Sequence, residues 1–440
     1  MKRLLFLVLL AFTVFVLTAC PQTPPPPPVN PAECPVGPLS VQAEEPLQIQ
    51  GLGKFEGEYA PGELLVLPRP GLSVQVLRTG GAEPQEALPR GFLRVKVPPG
   101  QEKARAEALL KVGAQYVQPN YVYRPLVVVP NDRYYPLQKS YLDGLVKLET
   151  GWSYSTGRGC PPLVAVLDTG MLPHEDVRTS FYLPQGVRLD VADGDSNPMD
   201  RTVGDSFGHG LEVASVLGAD TNNGEGISGV TWGGYLVPIK VFKDGSDATT
   251  TFDLAKGVDL AERLGVRVIN ISLGKMGVSE SDGVLMVSLA QARARGVVVV
   301  AAAGNYEQSN GGPVMFPASD PSTIAVGAVD TDKQRASFSA YGLELDLVAP
   351  GVNVLVAGPS GDYLLGSGTS FASPIVAGVV ALYMSKYASE RREWPSPDQV
   401  YRCLTGTAED LGPSGPDDEY GFGLVRADRV MTDTTYCFPP

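Results

Sequence analysis

Three runs of apolar residues, Leu163 to Leu167, Val266 to Ile271 and Val297 to Ala303, constrain this chain more than any other feature. Each is continuous rather than alternating in polarity, so as a strand it needs cover on both faces. Between the last two, Gly283 to Arg295 carries helix formers and stops at Gly296, a natural C-cap. From about Pro130 onward strand and helix patterns alternate in this way, which predicts βαβ units and an α/β fold with a mainly parallel central sheet. No internal repeat is visible.

The sequence upstream is of a different kind. Lys2 and Arg3 precede an apolar run from Leu4 to Leu17, too short to span a membrane comfortably, and residues 1–20 read as a signal peptide. The run closes on Leu17-Thr18-Ala19-Cys20, which resembles the bacterial lipobox. Cys20 is then the lipid-bearing first residue of an exported protein anchored to the cell-envelope membrane, with release of a mature domain as the variant outcome. Residues 21–55 form a tether, stiffened by the polyproline run Pro24 to Pro28. Residues 56–125 form a small α+β unit: Glu63 to Leu67 and Phe92 to Val97 have strand character, and Gln101 to Lys111 is a helix ending near Gly113.

Export fixes how the cysteines are read. With Cys20 lipidated, Cys34, Cys160, Cys403 and Cys437 remain in an oxidising compartment, where three pairings, or four free thiols, are open. Cys403 with Cys437 would staple the C-terminal tail. The formal charge of −13, with no run of Lys or Arg, argues against nucleic acid as a partner.

Chemistry-bearing residues fall where the strand pattern ends. In open α/β sheets functional groups collect at the carboxyl ends of strands, and Asp168 follows the run Val164-Ala165-Val166-Leu167 directly. His209, one of only two histidines, sits between glycines in Phe207-Gly208-His209-Gly210, before a small-residue helix from Leu211 to Leu217. Histidine is the side chain suited to changing protonation near neutral pH, as a general base must. Ser370 precedes the apolar helix Ile375 to Tyr387, where it is either an ordinary N-cap or a nucleophile served by helix N–H groups. Asn305 follows the run Ala301-Ala302-Ala303-Gly304 and offers an amide donor for an oxyanion, or a plain Gly-Asn turn.

Together these segments resemble a known family. Val166-Leu167-Asp168-Thr169-Gly170, Gly208-His209-Gly210 and Gly368-Thr369-Ser370-Phe371-Ala372-Ser373-Pro374 are similar to the three active-site blocks of the subtilisin family of serine proteases, in the same chain order. The likeness runs through Val268 to Gly274, Ile324 to Val329 and Val348-Ala349-Pro350-Gly351, and covers nearly all of residues 130–430.

The resemblance implies a three-layer subtilisin-like peptidase domain over residues 130–430, a monomer acting on proteins or peptides without a catalytic cofactor. Its catalytic residues would be Asp168, His209 and Ser370, with Asn305 as oxyanion donor. Ser272, Leu273 and Gly274 would form the edge strand that pairs with substrate, and Ala302, Ala303 and Gly304 would line the first specificity pocket. Met315 stands where many members have Gly at the base of that pocket. Residues 56–125 would be the inhibitory propeptide, a partner removed by the enzyme itself. A structural Ca²⁺ would be held by Asp132, Asp176, Asp220, Asn223, Glu225 and Ile227. Leu211 and Glu212 depart from the Thr and His usual after the family's His-Gly, and Ile375 from a frequent His. An aspartic protease built on Asp168-Thr169-Gly170 lacks a second such triplet in this chain, and a zinc peptidase lacks His-Glu-x-x-His. A degenerate fold serving as a surface binding protein is the non-enzyme alternative.

Overall fold

The structure is a computed structural model that describes residues 49–439 apart from 58, 88–90, 123–126, 234, 276–281 and 307–310. Cys20, Cys34 and the polyproline run lie outside the described residues. Contacts divide the chain into two compact units, Gly37–Leu126 and the part from Val127 onward.

In the smaller unit, strands β1 (Gly51–Leu52), β2 (Tyr59–Pro68), β3 (Glu83–Ala87), β4 (Leu93–Lys96) and β5 (Ala114–Tyr121) form one sheet in the order β1-β5-β2-β4-β3. Helices α1 (Val74–Thr79) and α2 (Glu102–Lys111) accompany it. Leu64 and Val66, two apart on β2, point to one face and bury with Val95, Val117 and Leu109 of α2. The Glu102 carboxylate accepts the N–H groups of Gly62 (2.8 Å) and Gly100 (3.0 Å), fixing the start of α2 against the bend in β2. The sheet begins upstream of residue 56, because Gly51 and Leu52 pair with Tyr116 and Val117. A two-residue strand carries no periodicity from which a sequence reading finds it.

The larger unit opens with helices α3 (Tyr135–Leu142) and α4 (Leu148–Trp152). Its sheet contains β6 (Leu163–Asp168), β7 (Tyr235–Lys240), β8 (Val268–Ile271), β9 (Val298–Ala302), β10 (Thr323–Val329) and β11 (Leu347–Pro350). The order is β11-β10-β9-β8-β6-β7 and every pairing is parallel. All residues of β6, β8 and β9 are buried, as their mainly apolar composition requires, and the polar Asp168 and Asn270 are buried with them. Helices α5 (His209–Gly218) and α8 (Thr369–Arg391) pack together against the sheet, and α6 (Thr251–Arg263) and α7 (Gly283–Ala294) pack together against it as a second pair. This is the three-layer α/β fold. A hairpin of β12 (Val354–Ala357) with β13 (Tyr363–Gly366), and helices α9 (Pro397–Thr407) and α10 (Ala427–Thr432), complete the unit. Cys403 of α9 is disulfide-bonded to Cys437, with Cα atoms 4.5 Å apart, so the ordered unit runs past residue 430.

Strand order locates the crevice. From β6 the chain moves to β7 on one side, then crosses to β8 on the other and continues outward through β9, β10 and β11. The reversal at β6 and β8 is a topological switch point, where loops at the carboxyl ends diverge and leave a cleft.

Candidate active site

Asp168 is the last residue of β6 at that switch point and is 1% exposed. The turn after it is too tight for side chains at its glycines. A Cβ on Gly210 would stand 2.2 Å from the Gly170 carbonyl oxygen, and one on Gly170, at φ 120°, would stand 2.5 Å from that of Pro198. This contact brings the start of α5 against the end of β6. The helix begins at His209 itself, two residues before the apolar stretch that marked it in the sequence. His209 Nδ1 lies 2.8 Å from Asp168 Oδ1, the oxygen that also accepts the Thr169 N–H at 2.7 Å. That bond places the Nδ1 proton toward Asp168 and leaves Nε2 as the acceptor. Burial opposes the charged imidazole, but the Asp168 carboxylate outweighs it, aided by Glu212 and Asp200, and the pKa of His209 lies above its ordinary value. Glu212, three residues along the same helix, is itself pushed up by burial first, with the His209 charge acting the other way.

Ser370 is the second residue of α8, not a residue preceding it. The helix runs from Thr369 through Pro374, which has no N–H to give to the carbonyl of residue i−4, Ser370. That carbonyl accepts the Ser272 hydroxyl instead, at 2.9 Å. Asn270 donates to the same Ser272 oxygen (3.0 Å) and accepts from Ser373 (2.8 Å), so the end of β8 and the first turns of α8 are tied together. Ser370 Oγ donates to the Ser272 carbonyl at 3.3 Å, and among the described residues no hydrogen bond joins it to His209.

Asn305 is exposed after β9, with its amide oxygen held by the Thr369 N–H and hydroxyl, both at 2.9 Å. This directs the NH₂ end away from those donors. His209, Ser370 and Asn305 line one cleft of about 570 Å³, together with Ser272, Leu273, Gly274, Ala302, Gly304 and Met315.

The expected cleft walls take the following places. Ser272–Gly274 are not part of a sheet edge: they continue β8 beyond its last paired residue, Ile271. Ala303 is fully buried in the core, because alternate residues of an extended segment face opposite ways and Ala302 and Gly304 take the cleft side. Met315 is 3% exposed, and its side chain fills the space between the two walls. A Cβ on Gly304 would lie 2.6 Å from Met315 Sδ, and one on Gly274 3.3 Å from it.

The expected calcium ligands come together only in part. Asp176 Oδ1 and the Asn223 amide are 3.2 Å apart, and Asp176 Oδ2 accepts the Ile227 N–H at 2.6 Å. Asp132 accepts the N–H groups of Asn222 and Asn223 and the Ser228 hydroxyl, while Asp220 accepts Thr179 and Ser180. Both brace the loop as hydrogen-bond acceptors, and the side chain of Glu225 is exposed. Among the described residues, the one group of three carboxylates with oxygens within 4.8 Å of one another is elsewhere: Asp190, Asp193 and Asp244. Its cation is the ammonium of the fully buried Lys240, at 2.7, 2.9 and 2.9 Å. No residue pattern along the chain marks that cluster, since its members come from separate segments. The carboxylate of Asp200 behind His209 is equally unmarked.

Comparison with known proteins agrees with this fold. The sequence model of the Subtilase family matches residues 159–423. Subtilisin Savinase of Lederbergia lenta is 39% identical over 276 residues, spanning 62% of this chain and 91% of that protein. M-protease of Shouchella clausii (strain KSM-K16) is also 39% identical over 276 residues, and there the match spans 65% of the relative's length. A solved protease from Pseudoalteromonas arctica superposes with a TM-score of 0.59 at 30% identity, covering 69% of this chain and 98% of that one. The chain belongs to the subtilase family. It is a subtilisin-like serine endopeptidase, which sets aside the aspartic and zinc peptidase readings.

Proposed function

We propose that Ser370 is the nucleophile of this peptidase, His209 its general base and Asp168 the group that orients His209. The observation that carries the reading is the 2.8 Å contact between His209 Nδ1 and Asp168 Oδ1, with Ser370 opening a helix in the same cleft. Ser370 Oγ forms a bond to the scissile carbonyl carbon as its proton passes to His209 Nε2. The C–N bond then breaks, the proton goes to the leaving amine, and water hydrolyses the acyl-enzyme by the same route. Asn305 Nδ2 and the Ser370 N–H, one of the unpaired donors of a helix start, hold the oxyanion. A substrate strand lies along Ser272–Gly274, which among the described residues has no strand partner on its cleft side. Labelling with a fluorophosphonate tests this: a single adduct at Ser370 that is lost in His209→Ala is expected, and an adduct elsewhere, or none, overturns it.

The flanking segments extend the proposal. The unit around residues 56–125 acts as an inhibitory propeptide cut off by the enzyme, and Cys20 carries a lipid that holds the precursor at the cell envelope. Related proteins that are subtilisins and alkaline proteases favour export. For calcium, Asp176, Asn223 and loop carbonyls are the fitting donors, with Asp132 and Asp220 bracing the loop. Burial, with the charges of Asp132 and Asp220 adding to it, pushes the pKa of Asp176 up to about 6, an imbalance that a bound cation would reverse. The melting temperature should fall after exhaustive EGTA treatment, and an unchanged value removes the site.

A further inference from the structure

His209 stands between two glycines, the residues with the greatest backbone freedom, yet a general base must be held within a fraction of an ångström. The restraint comes from a buried carboxylate eight positions before Gly208. Asp200 is 4% exposed, and four donors converge on it. Oδ1 accepts the N–H (2.8 Å) and hydroxyl (2.7 Å) of Thr202. Oδ2 accepts the Thr169 hydroxyl at 2.7 Å and the Gly208 N–H at 2.8 Å. Thr169 Oγ1 in turn accepts the Gly210 N–H at 2.9 Å, and the Thr169 N–H is bonded to Asp168 Oδ1. The N–H groups of both residues that flank His209 are therefore tied to one carboxylate, Gly208 directly and Gly210 through Thr169, the residue next to Asp168.

We propose that Asp200 is a positioning residue for the general base, holding Gly208 directly and Gly210 through the Thr169 hydroxyl so that the imidazole stays in register with Asp168. The inference rests on the reading of His209 as general base. Four donors suit an ionised carboxylate, which offers about four lone-pair sites and no proton of its own. An amide at this position would turn an NH₂ group against an N–H or O–H donor. The charge of Asp200 also reaches His209, alongside those of Asp168 and Glu212, while Asp205 and Asp247 stand at the rim of the same cleft.

The test compares Asp200→Asn, Thr169→Val and Thr169→Ser, expressed as the full chain, with turnover of a peptide substrate counted per fluorophosphonate-titrated site. A misplacement of about 1 Å costs up to about 10²-fold, so Asp200→Asn and Thr169→Val should each lower kcat by about 10 to 10²-fold with KM unchanged. Thr169→Ser, which keeps the hydroxyl, should restore the rate. The Asp200→Asn and Thr169→Val double variant should be no slower than the worse single one, since both cut the same tie. The acid limb of the kcat/KM profile should move to lower pH in Asp200→Asn, because a charge favouring the imidazolium is lost. If Asp200→Asn does not fold, the contrast between Thr169→Val and Thr169→Ser decides. Normal turnover per titrated site in Thr169→Val and any folded Asp200→Asn, with an unmoved pH profile, overturns the proposal. His209→Ala in parallel keeps the two readings apart: full activity there would sink the general base itself.

Discussion

The Asp168–His209 pair and the Lys240 cluster are both buried ionic arrangements at the carboxyl side of the same sheet, and they are built in opposite ways. Lys240 is fully buried and its three ammonium protons meet three carboxylates, of Asp190, Asp193 and Asp244. Asp190 and Asp193 are further occupied by the N–H groups of Asp193 and Asp244, at 2.9 Å each. The Asp168–His209 pair, proposed as catalytic, is left incomplete. Asp168 Oδ2 is buried with no hydrogen-bond partner among the described residues, and His209 keeps 21% of its side chain open. A saturated cluster has no capacity left to move a proton, so it contributes to the fold alone. An unsaturated pair with an open Nε2 has chemistry available at the cost of stability.

That contrast is broken most sharply by Ser370→Ala. Removing the matching serine in subtilisin, a member of the same family, costs about 10⁶ in kcat, and a loss of that order is expected here. Melting temperature should hardly change, as measured on the correctly processed protein matured in trans. Accumulation of unprocessed full-length chain in a protease-free host would confirm self-cleavage, and normal maturation there would refute it.

Lys240→Met should do the reverse. Stripping one partner from a buried ionic group costs about 3–5 kcal/mol, read by denaturant unfolding in the Ser370→Ala background to avoid autolysis. The active Lys240→Met enzyme should keep kcat/KM near the wild-type value at low temperature. A large kinetic defect with intact stability would invert the comparison.

Asn305 lies between the two extremes, a residue lining the cleft with its amide oxygen doubly held and its NH₂ end free of those donors. Asn305→Ala should lower kcat by about 10²–10³ with KM little changed, the usual result of losing one oxyanion donor. A change in KM alone would make Asn305 a wall of the cleft and nothing more.

The smallest effect is expected at Met315, which fills the cleft without charge. Its thioether between Gly274 and Gly304 takes volume from a large substrate side chain, although a flexible side chain can yield. Misfit by one or two methylenes is worth about 1–3 kcal/mol, so Met315→Gly should raise the Phe-to-Ala ratio of kcat/KM about tenfold. An unchanged ratio on peptides with Ala, Leu and Phe before the scissile bond would remove Met315 from specificity.

Much of this was legible along the chain, for reasons that differ from residue to residue. The apolar runs at Leu163, Val266 and Val297 had to be buried parallel strands, because no one-sided sheet covers such residues. Asp168 and Asn305 could be placed at the carboxyl ends of strands from those runs alone. His209 and Ser370 were recognisable from their neighbours, although the helix of each begins earlier than the apolar pattern suggested. Helix starts are set by capping and tertiary contacts, and the apolar stripe begins only after them.

Position in sequence thus determined which residue types stand at the ends of the central strands, since burial on two faces and the glycine-flanked blocks are local properties. Tertiary structure alone decided how those residues are supported. Asp200 reaches Gly208 directly and Gly210 through Thr169, Ser272 takes the carbonyl that Pro374 leaves unpaired, and Lys240 gathers Asp190 and Asp193 from one turn beside its own neighbour Asp244. Most of these contacts join segments 31 to 98 residues apart, as Thr169 with Asp200 and Ser272 with Ser370 do. A hydrogen bond depends on where two atoms stand in space, and a strand order that reverses at β6 and β8 sets those places after the local pattern has been satisfied.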